Sequence, residues 1–188
     1  KLDISQLIDI SKIEKLLYSQ TITPEIFDEN DYIILKKLSA GSSSSVSLIY
    51  HIEKEELFAI KKFFVNNQEK EKLINRETFN YSKINFPQLP KFYGKDKETN
   101  YPVIQFINGQ TLEQIDQFNF SFYEKISIIY QIVITITYLH KQGFVYRDLK
   151  PDNVMIDKNK HIFIIDLDRM IKYSDQSNNQ EHTMEFAS

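Results

Sequence analysis

Apolar and polar positions along this chain alternate with two different periods. Over residues 1–20, apolar side chains recur at Leu2, Leu7, Ile10, Ile13, Leu16 and Leu17, a spacing that predicts one face of a helix. Such a stripe either packs on the domain that follows or docks a partner. Thr23-Pro24-Glu25 predicts the start of a second, short helix, with Thr at the N-cap and Pro at the first helical position. From Tyr32 the period shortens. The runs 32–38, 46–52 and 57–65 are rich in β-branched and aromatic residues, with turn-forming residues 40–45 and charged residues 53–56 between them. They predict an antiparallel meander of three strands. Residues 67–84 are charged, with Leu73, Ile74, Tyr81 and Ile84 spaced for one helix face, and Pro87 and Pro90 close that element. Two more short strands are predicted near 91–93 and 101–106.

The second half begins with Ser121 and Glu124, three apart as in a capping box. Residues 126–140 are so rich in Ile, Val and Thr that propensity alone favours a strand. The length of the stretch from Glu124 to Gln142, the cap before it and Gly143 after it predict a buried helix instead. Residues 154–156 and 161–165 read as short strands around the turn 157–160, and residues 173–182 as an exposed, mobile loop. The order of elements predicts a two-lobed α+β fold. A flanking helical segment covers 1–30 and one domain covers 31–188, with a first lobe over about 31–106 and a second over about 107–188.

Composition narrows the function classes. Of 188 residues, 41% are hydrophobic and 13% aromatic, enough to bury a sizeable core and to exclude general disorder. A net charge of −3 argues against nucleic-acid coating and against a basic membrane-surface helix. With 0 cysteines there are no disulfide staples, no Cys-ligated zinc and no Cys nucleophile, which suits a cytoplasmic setting. Neither an apolar signal-peptide core nor a run of the ~18 residues needed for a membrane span is visible.

The densest chemistry lies in Tyr146-Arg147-Asp148-Leu149-Lys150-Pro151-Asp152-Asn153. In one loop, an Asp can accept a hydroxyl proton, a Lys can neutralise phosphate and an Asn oxygen can hold a divalent cation. A second carboxylate, Asp166, follows the apolar run 162–165. Upstream, Lys61 stands in an apolar strand beside Lys62, so one of the two should face inward. Glu77, on the predicted helix face with Leu73 and Tyr81, is a candidate partner for it.

This set resembles the protein kinase catalytic domain over roughly residues 30–188. Tyr146-Arg147-Asp148 stands where the family has His-Arg-Asp, Asp166-Leu167-Asp168 where it has Asp-Phe-Gly, and Ala59-Ile60-Lys61 in the Val-Ala-Ile-Lys strand. Residues 38–46 lie where it has a glycine-rich loop. The resemblance implies a two-lobed kinase fold, ATP and Mg²⁺ as cofactors and a protein substrate. It implies Asp148 as catalytic base, with Lys150 beside the transferring phosphoryl group favouring Ser/Thr acceptors, and Asn153 and Asp166 on the metal. Lys61 would pair with Glu77 and hold the α/β-phosphates. Leu38, Ser39, Gly41 and Ser44 would cover the phosphates, and Val46, Ala59 and Met155 would sandwich adenine. Ile104 would be the gatekeeper, followed by the hinge at Gln105, Phe106 and Ile107. The N-terminal helix would be free to dock a partner; no nucleic-acid or membrane partner is implied.

Departures from the family pattern sharpen the expectations. Ser39 and Ser44 replace the outer glycines of the phosphate loop, and Tyr146 replaces His as a packing ring. Leu167 for Phe keeps an apolar plug, and Asp168 for Gly removes backbone freedom and adds a charge. Residues 183–188 resemble the end of an activation segment, which places the family's C-terminal helices beyond Ser188. The 188 residues are therefore expected to expose apolar surface and to be inactive by themselves. Arg147 would receive an activation-segment phosphate, yet Asn179 stands four before Thr183, which leaves Ser174 and Ser177 and points to a kinase without strict dependence on that modification. Two other functions stay open: a small-molecule kinase of the same superfamily, and a nucleotide-binding pseudokinase scaffold.

Overall fold

The computed structural model describes residues 23–41, 43–64, 67–115 and 120–173. The flanking helix over 1–20 and the loop beyond Tyr173 lie outside the described residues. The meander forms as its β-branched and aromatic runs predict: β2 (Tyr32–Ala40), β3 (Ser44–His51) and β4 (Glu56–Phe63) pair in antiparallel order. The sheet is completed by β5 (Phe92–Asp96), β6 (Pro102–Gln105) and β1 (Glu25–Phe27), in the order β1-β5-β6-β4-β3-β2.

Strand β1 corrects the helix predicted at Thr23-Pro24-Glu25. Those residues are extended, and Glu25–Phe27 run parallel to β5 with Glu25 opposite Gly94. Local cap chemistry loses here to tertiary pairing. Phe27 is buried edge-on to Phe58 and His51, Lys54 bonds Glu25, and Lys97 reaches Asp28 at 2.8 Å. Gly94 is needed for that approach, since a Cβ there would lie 1.9 Å from the Glu25 carbonyl oxygen.

Helix α1 (Asn67–Lys83) packs behind the sheet through Ile74, Glu77, Thr78 and Tyr81. Helix α2 (Phe122–Lys141) has the full capping box: the Ser121 hydroxyl accepts from the Glu124 amide and the Glu124 carboxylate accepts from the Ser121 amide at 2.8 Å. Gly143, at φ +80°, closes its C-terminal end. The helix is buried on one side only, through Ile128, Thr135, Tyr138 and Leu139, whereas Phe122, Ile126, Ile129 and Val133 are each at least half exposed. The sequence overstated its burial, because the β-branched residues run around both faces. Gln131 ties α2 to the turn between β9 (Val154–Asp157) and β10 (Ile162–Ile164), donating to the Lys160 carbonyl and accepting from the Ile162 amide.

Three short strands escaped the sequence reading. β7 (Gly109–Thr111) pairs with β9, and β8 (Phe144–Val145) with β11 (Ile171–Lys172). Strands of two or three residues leave no periodicity to read. One apolar core joins the lobes, with Ala59, Tyr81, Phe92 and Ile104 from the sheet side meeting Leu139, Tyr146, Ile162 and Leu167. No helix among the described residues is long and apolar enough to cross a membrane.

Candidate active site

The cleft is built where β4, α1 and the loops after β8 and β10 meet. Lys61 and Lys62 point to opposite faces of β4, and it is Lys61 that turns inward, only 3% exposed. Its Nζ lies 3.0 Å from Glu77 Oε1 and 2.7 Å from Asp166 Oδ1. Burial alone would lower the Lys61 pKa, but the two carboxylates hold it above its ordinary value, so the side chain is charged. Asp166 is likewise kept below the usual carboxylate range by Lys61, against the effect of burial.

One ammonium thus serves two carboxylates, and Glu77 is served less well. It is fully buried and its Oε2 has no hydrogen-bond partner among the described residues. Burial outweighs Lys61 and pushes the Glu77 carboxyl up to about 7. An acid raised in the folded state holds its proton more tightly folded than unfolded. Its contribution to stability is complete below its ordinary pKa of 4.5 and is lost as pH rises through about 7. Glu77→Gln is therefore expected to flatten the decline in Tm between about pH 5 and 8. Tm profiles of wild type and variant check this, and identical slopes would assign the titration to another group.

Opposite this cluster stands Asp148. Its Oδ2 accepts from Asn153 Nδ2 at 2.8 Å and from Lys150 Nζ at 3.0 Å, and the same Asn153 nitrogen reaches the Asp148 carbonyl at 2.9 Å. Arg169 Nη1 lies 3.8 Å from Oδ1. A single turn of 3-10 helix, Pro151–Asn153, brings the three residues together, with Pro at its start. Arg147 and Asp166 both adopt left-handed backbone, at φ +71° and +64°. For non-glycine residues this conformation costs on the order of 1–3 kcal/mol each and is characteristic of functional loops.

Two residues hold these loops in ways that the sequence did not disclose. The Tyr146 ring is buried as expected, but its hydroxyl also donates to the Ile165 carbonyl, which fixes the residue before Asp166. Asn80, on α1 and 2% exposed, donates through Nδ2 to the Leu167 carbonyl at 2.7 Å and the Met170 carbonyl at 3.0 Å. The same helix that presents Glu77 therefore anchors the Asp166-Leu167-Asp168 loop. The sequence signal was a polar residue on the apolar face of α1, one position before Tyr81, but its partners lie 87 and 90 residues away.

Leu167 is fully buried and acts as the expected plug. Asp168 carries no positive φ, so losing glycine there costs nothing in this conformation; burial and the adjacent Asp166 raise its pKa. Gly41 closes the β2–β3 turn by donating to the Ser44 carbonyl at 2.8 Å, with Leu38 and Ser39 on β2 and Ser44 on β3. Ala59 and Ile104 are buried and directly paired across β4 and β6. Val46 packs against the lobe-joining core, and Met155 is half-buried on β9. Gln105 donates from its backbone to the Lys91 carbonyl, and Phe106 and Ile107 continue from it into the second lobe.

Comparison with known proteins agrees with this geometry. A family model described as the protein kinase domain matches residues 32–188. Serine/threonine-protein kinase OXI1 of Arabidopsis thaliana is 33% identical over 158 residues, covering 75% of this chain and 37% of that protein. The cAMP-dependent protein kinase catalytic subunit of Schizosaccharomyces pombe is 26% identical over 178 residues, covering 88% of this chain and 34% of that protein. The cAMP-dependent protein kinase type 3 of Saccharomyces cerevisiae is 27% identical, with 84% and 41% covered. The chain thus spans between a third and about two fifths of the length of these relatives. With the buried Lys61–Glu77 pair, the Asp148 loop and Asp166 in one cleft, and the family match running from β2 to Ser188, the chain belongs to the protein kinase family.

Proposed function

We propose that this domain serves an ATP-dependent protein kinase that transfers the γ-phosphoryl group of Mg-ATP to Ser and Thr hydroxyls of protein substrates. The observation that carries the reading is the Asp148 carboxylate, held on one oxygen by both Lys150 and Asn153. In this reading Oδ1 takes the proton of the substrate hydroxyl. The Lys150 ammonium, tethered to the same carboxylate, offsets charge developing on the transferred group. Lys61, oriented by Glu77, binds the α/β-phosphates. Val46, Ala59 and Met155 enclose the base, with Ile104 behind it and Gln105 to Ile107 along its edge.

The residues suit Mg²⁺. Asp166 is ionised, and a third of its side chain is open to the cleft. Asn153 commits its amide nitrogen to Asp148, which leaves its carbonyl oxygen as the atom fit for a hard cation. Among the described residues no group of three or more His, Cys, Asp or Glu forms a self-sufficient metal cage, as suits an ion shared with substrate phosphates. When bound, the metal would neutralise phosphate charge.

The test is ATP titration with and without Mg²⁺ on wild type and Asp166→Ala, followed by tracing the γ-phosphate into Ser/Thr peptides and into small-molecule alcohols. Metal-dependent binding that Asp166→Ala abolishes, with label on peptides, is expected. Label confined to small alcohols would make it a small-molecule kinase, and absence of nucleotide binding would make it a scaffold.

A further inference from the structure

Asp166 sits in left-handed backbone, at φ +64°, a conformation that a non-glycine residue keeps only where its surroundings hold it. On its upstream side the chain is held twice. The Ile165 amide donates to the Asn153 carbonyl at 2.9 Å, and the Ile165 carbonyl accepts from the Tyr146 hydroxyl. Downstream, residues 167–170 form a turn in which the Met170 amide donates to the Leu167 carbonyl at 3.2 Å. Leu167 and Met170 are fully buried, so their carbonyls need partners within the protein.

Helix α1 supplies that partner. Asn80 lies three residues after Glu77, on the same side of the helix, and is itself 2% exposed. Its Nδ2 carries two hydrogens, and it reaches two carbonyls, that of Leu167 at 2.7 Å and that of Met170 at 3.0 Å. One amide thus grips both ends of the turn. Tyr81 belongs to the same buried cluster as Leu167 and Met170, so the space around the turn is filled by packing. Packing is not directional, whereas the two bonds from Asn80 fix where the carbonyls point. Beyond the turn, Lys172 of β11 lies over the Phe79 ring, 5.0 Å from its centroid, which continues the contact with α1.

We propose that Asn80 is a positioning residue for metal binding. By holding the 167–170 turn against α1, it completes the downstream clamp on Asp166 and sets that carboxylate for a divalent cation. Lys61 and Glu77 hold the phosphate side of the site without it. The metal role rests on the kinase reading above; the hold on the turn does not.

Asn80→Leu keeps a similar side-chain volume and removes both donors. In the full-length protein without nucleotide, hydrogen exchange at the Met170 amide is expected to quicken at least about tenfold, while the Ile74 amide of the same helix stays within about twofold of wild type. ATP is then titrated in EDTA and in Mg²⁺. The affinity in EDTA should stay within about twofold of wild type, and the factor by which Mg²⁺ tightens binding should fall at least about fivefold. A merely structural role would quicken exchange along α1 and weaken both titrations alike. Unchanged exchange at Met170, equal quickening at Ile74, or a wild-type Mg²⁺ factor each overturns the proposal. A wild-type protein whose ATP binding ignores Mg²⁺ overturns the kinase reading, and the metal role with it. If Asn80→Leu does not accumulate folded, Asn80→Ala, which leaves room for water at the two carbonyls, is judged by the same two measurements.

Discussion

Asp148→Asn is expected to leave folding and ATP binding close to wild type while lowering phosphoryl transfer by a factor of about 10² or more. The substitution keeps the shape of the site. Lys150 and Asn153 both donate to Oδ2, at 3.0 and 2.8 Å, and an Asn side chain can present its oxygen to those same donors. Asn153 also keeps its bond to the backbone carbonyl of residue 148. What changes is the other terminal atom, which becomes an NH₂ donor and cannot accept a proton. Single-turnover transfer in the full-length protein, alongside ATP affinity, separates the two effects. A wild-type transfer rate would remove Asp148 from the role of base.

Lys61→Met is expected to cost the largest share of stability of any single change at the site, about 3–5 kcal/mol, as for other buried pairs that lose one partner. Methionine fills the channel but leaves Glu77 fully buried without its counter-charge. Glu77 can escape by taking up a proton, and its carboxyl is already pushed up to about 7 with Lys61 in place. The loss should therefore be smaller at about pH 5 than at pH 8. The double variant Lys61→Met/Glu77→Gln, which removes the buried charge, should recover most of the stability and none of the nucleotide binding. Denaturation midpoints at the two pH values, with ATP titrations, check both halves. Intact ATP affinity in Lys61→Met would sink the phosphate role.

What the sequence disclosed and what it hid divide along a physical line. Lys61, Glu77, Asp148, Asn153 and Asp166 were legible because each sits in a short local pattern whose chemistry is defined by neighbours. The meander was legible because its three runs are rich in β-branched and aromatic residues and are separated by turn-forming and charged stretches, even though β2 is exposed along nearly its whole length. Asn80 was not, because a buried Asn reads as a flaw in an apolar stripe until its two carbonyl partners are brought to it by the fold. The Tyr146 hydroxyl was missed for the same reason, its acceptor lying 19 residues on. Strand β1 was misread because Thr-Pro-Glu is good helix-start chemistry, and only the approach to Gly94, across 94 − 25 = 69 residues, decides otherwise.

That long separation also orders events in time. The β2–β3–β4 meander closes through short turns, so its contacts form at little entropic cost. The β1–β5 pairing must close a loop of 69 residues before its three register pairs and the burial of Phe27 can repay that cost. It therefore belongs after the folding barrier, where its interactions govern how fast the native state is lost and hardly touch how fast it is reached. By the same reasoning β1 is the strand set to detach first, opening locally while the remaining sheet stays intact.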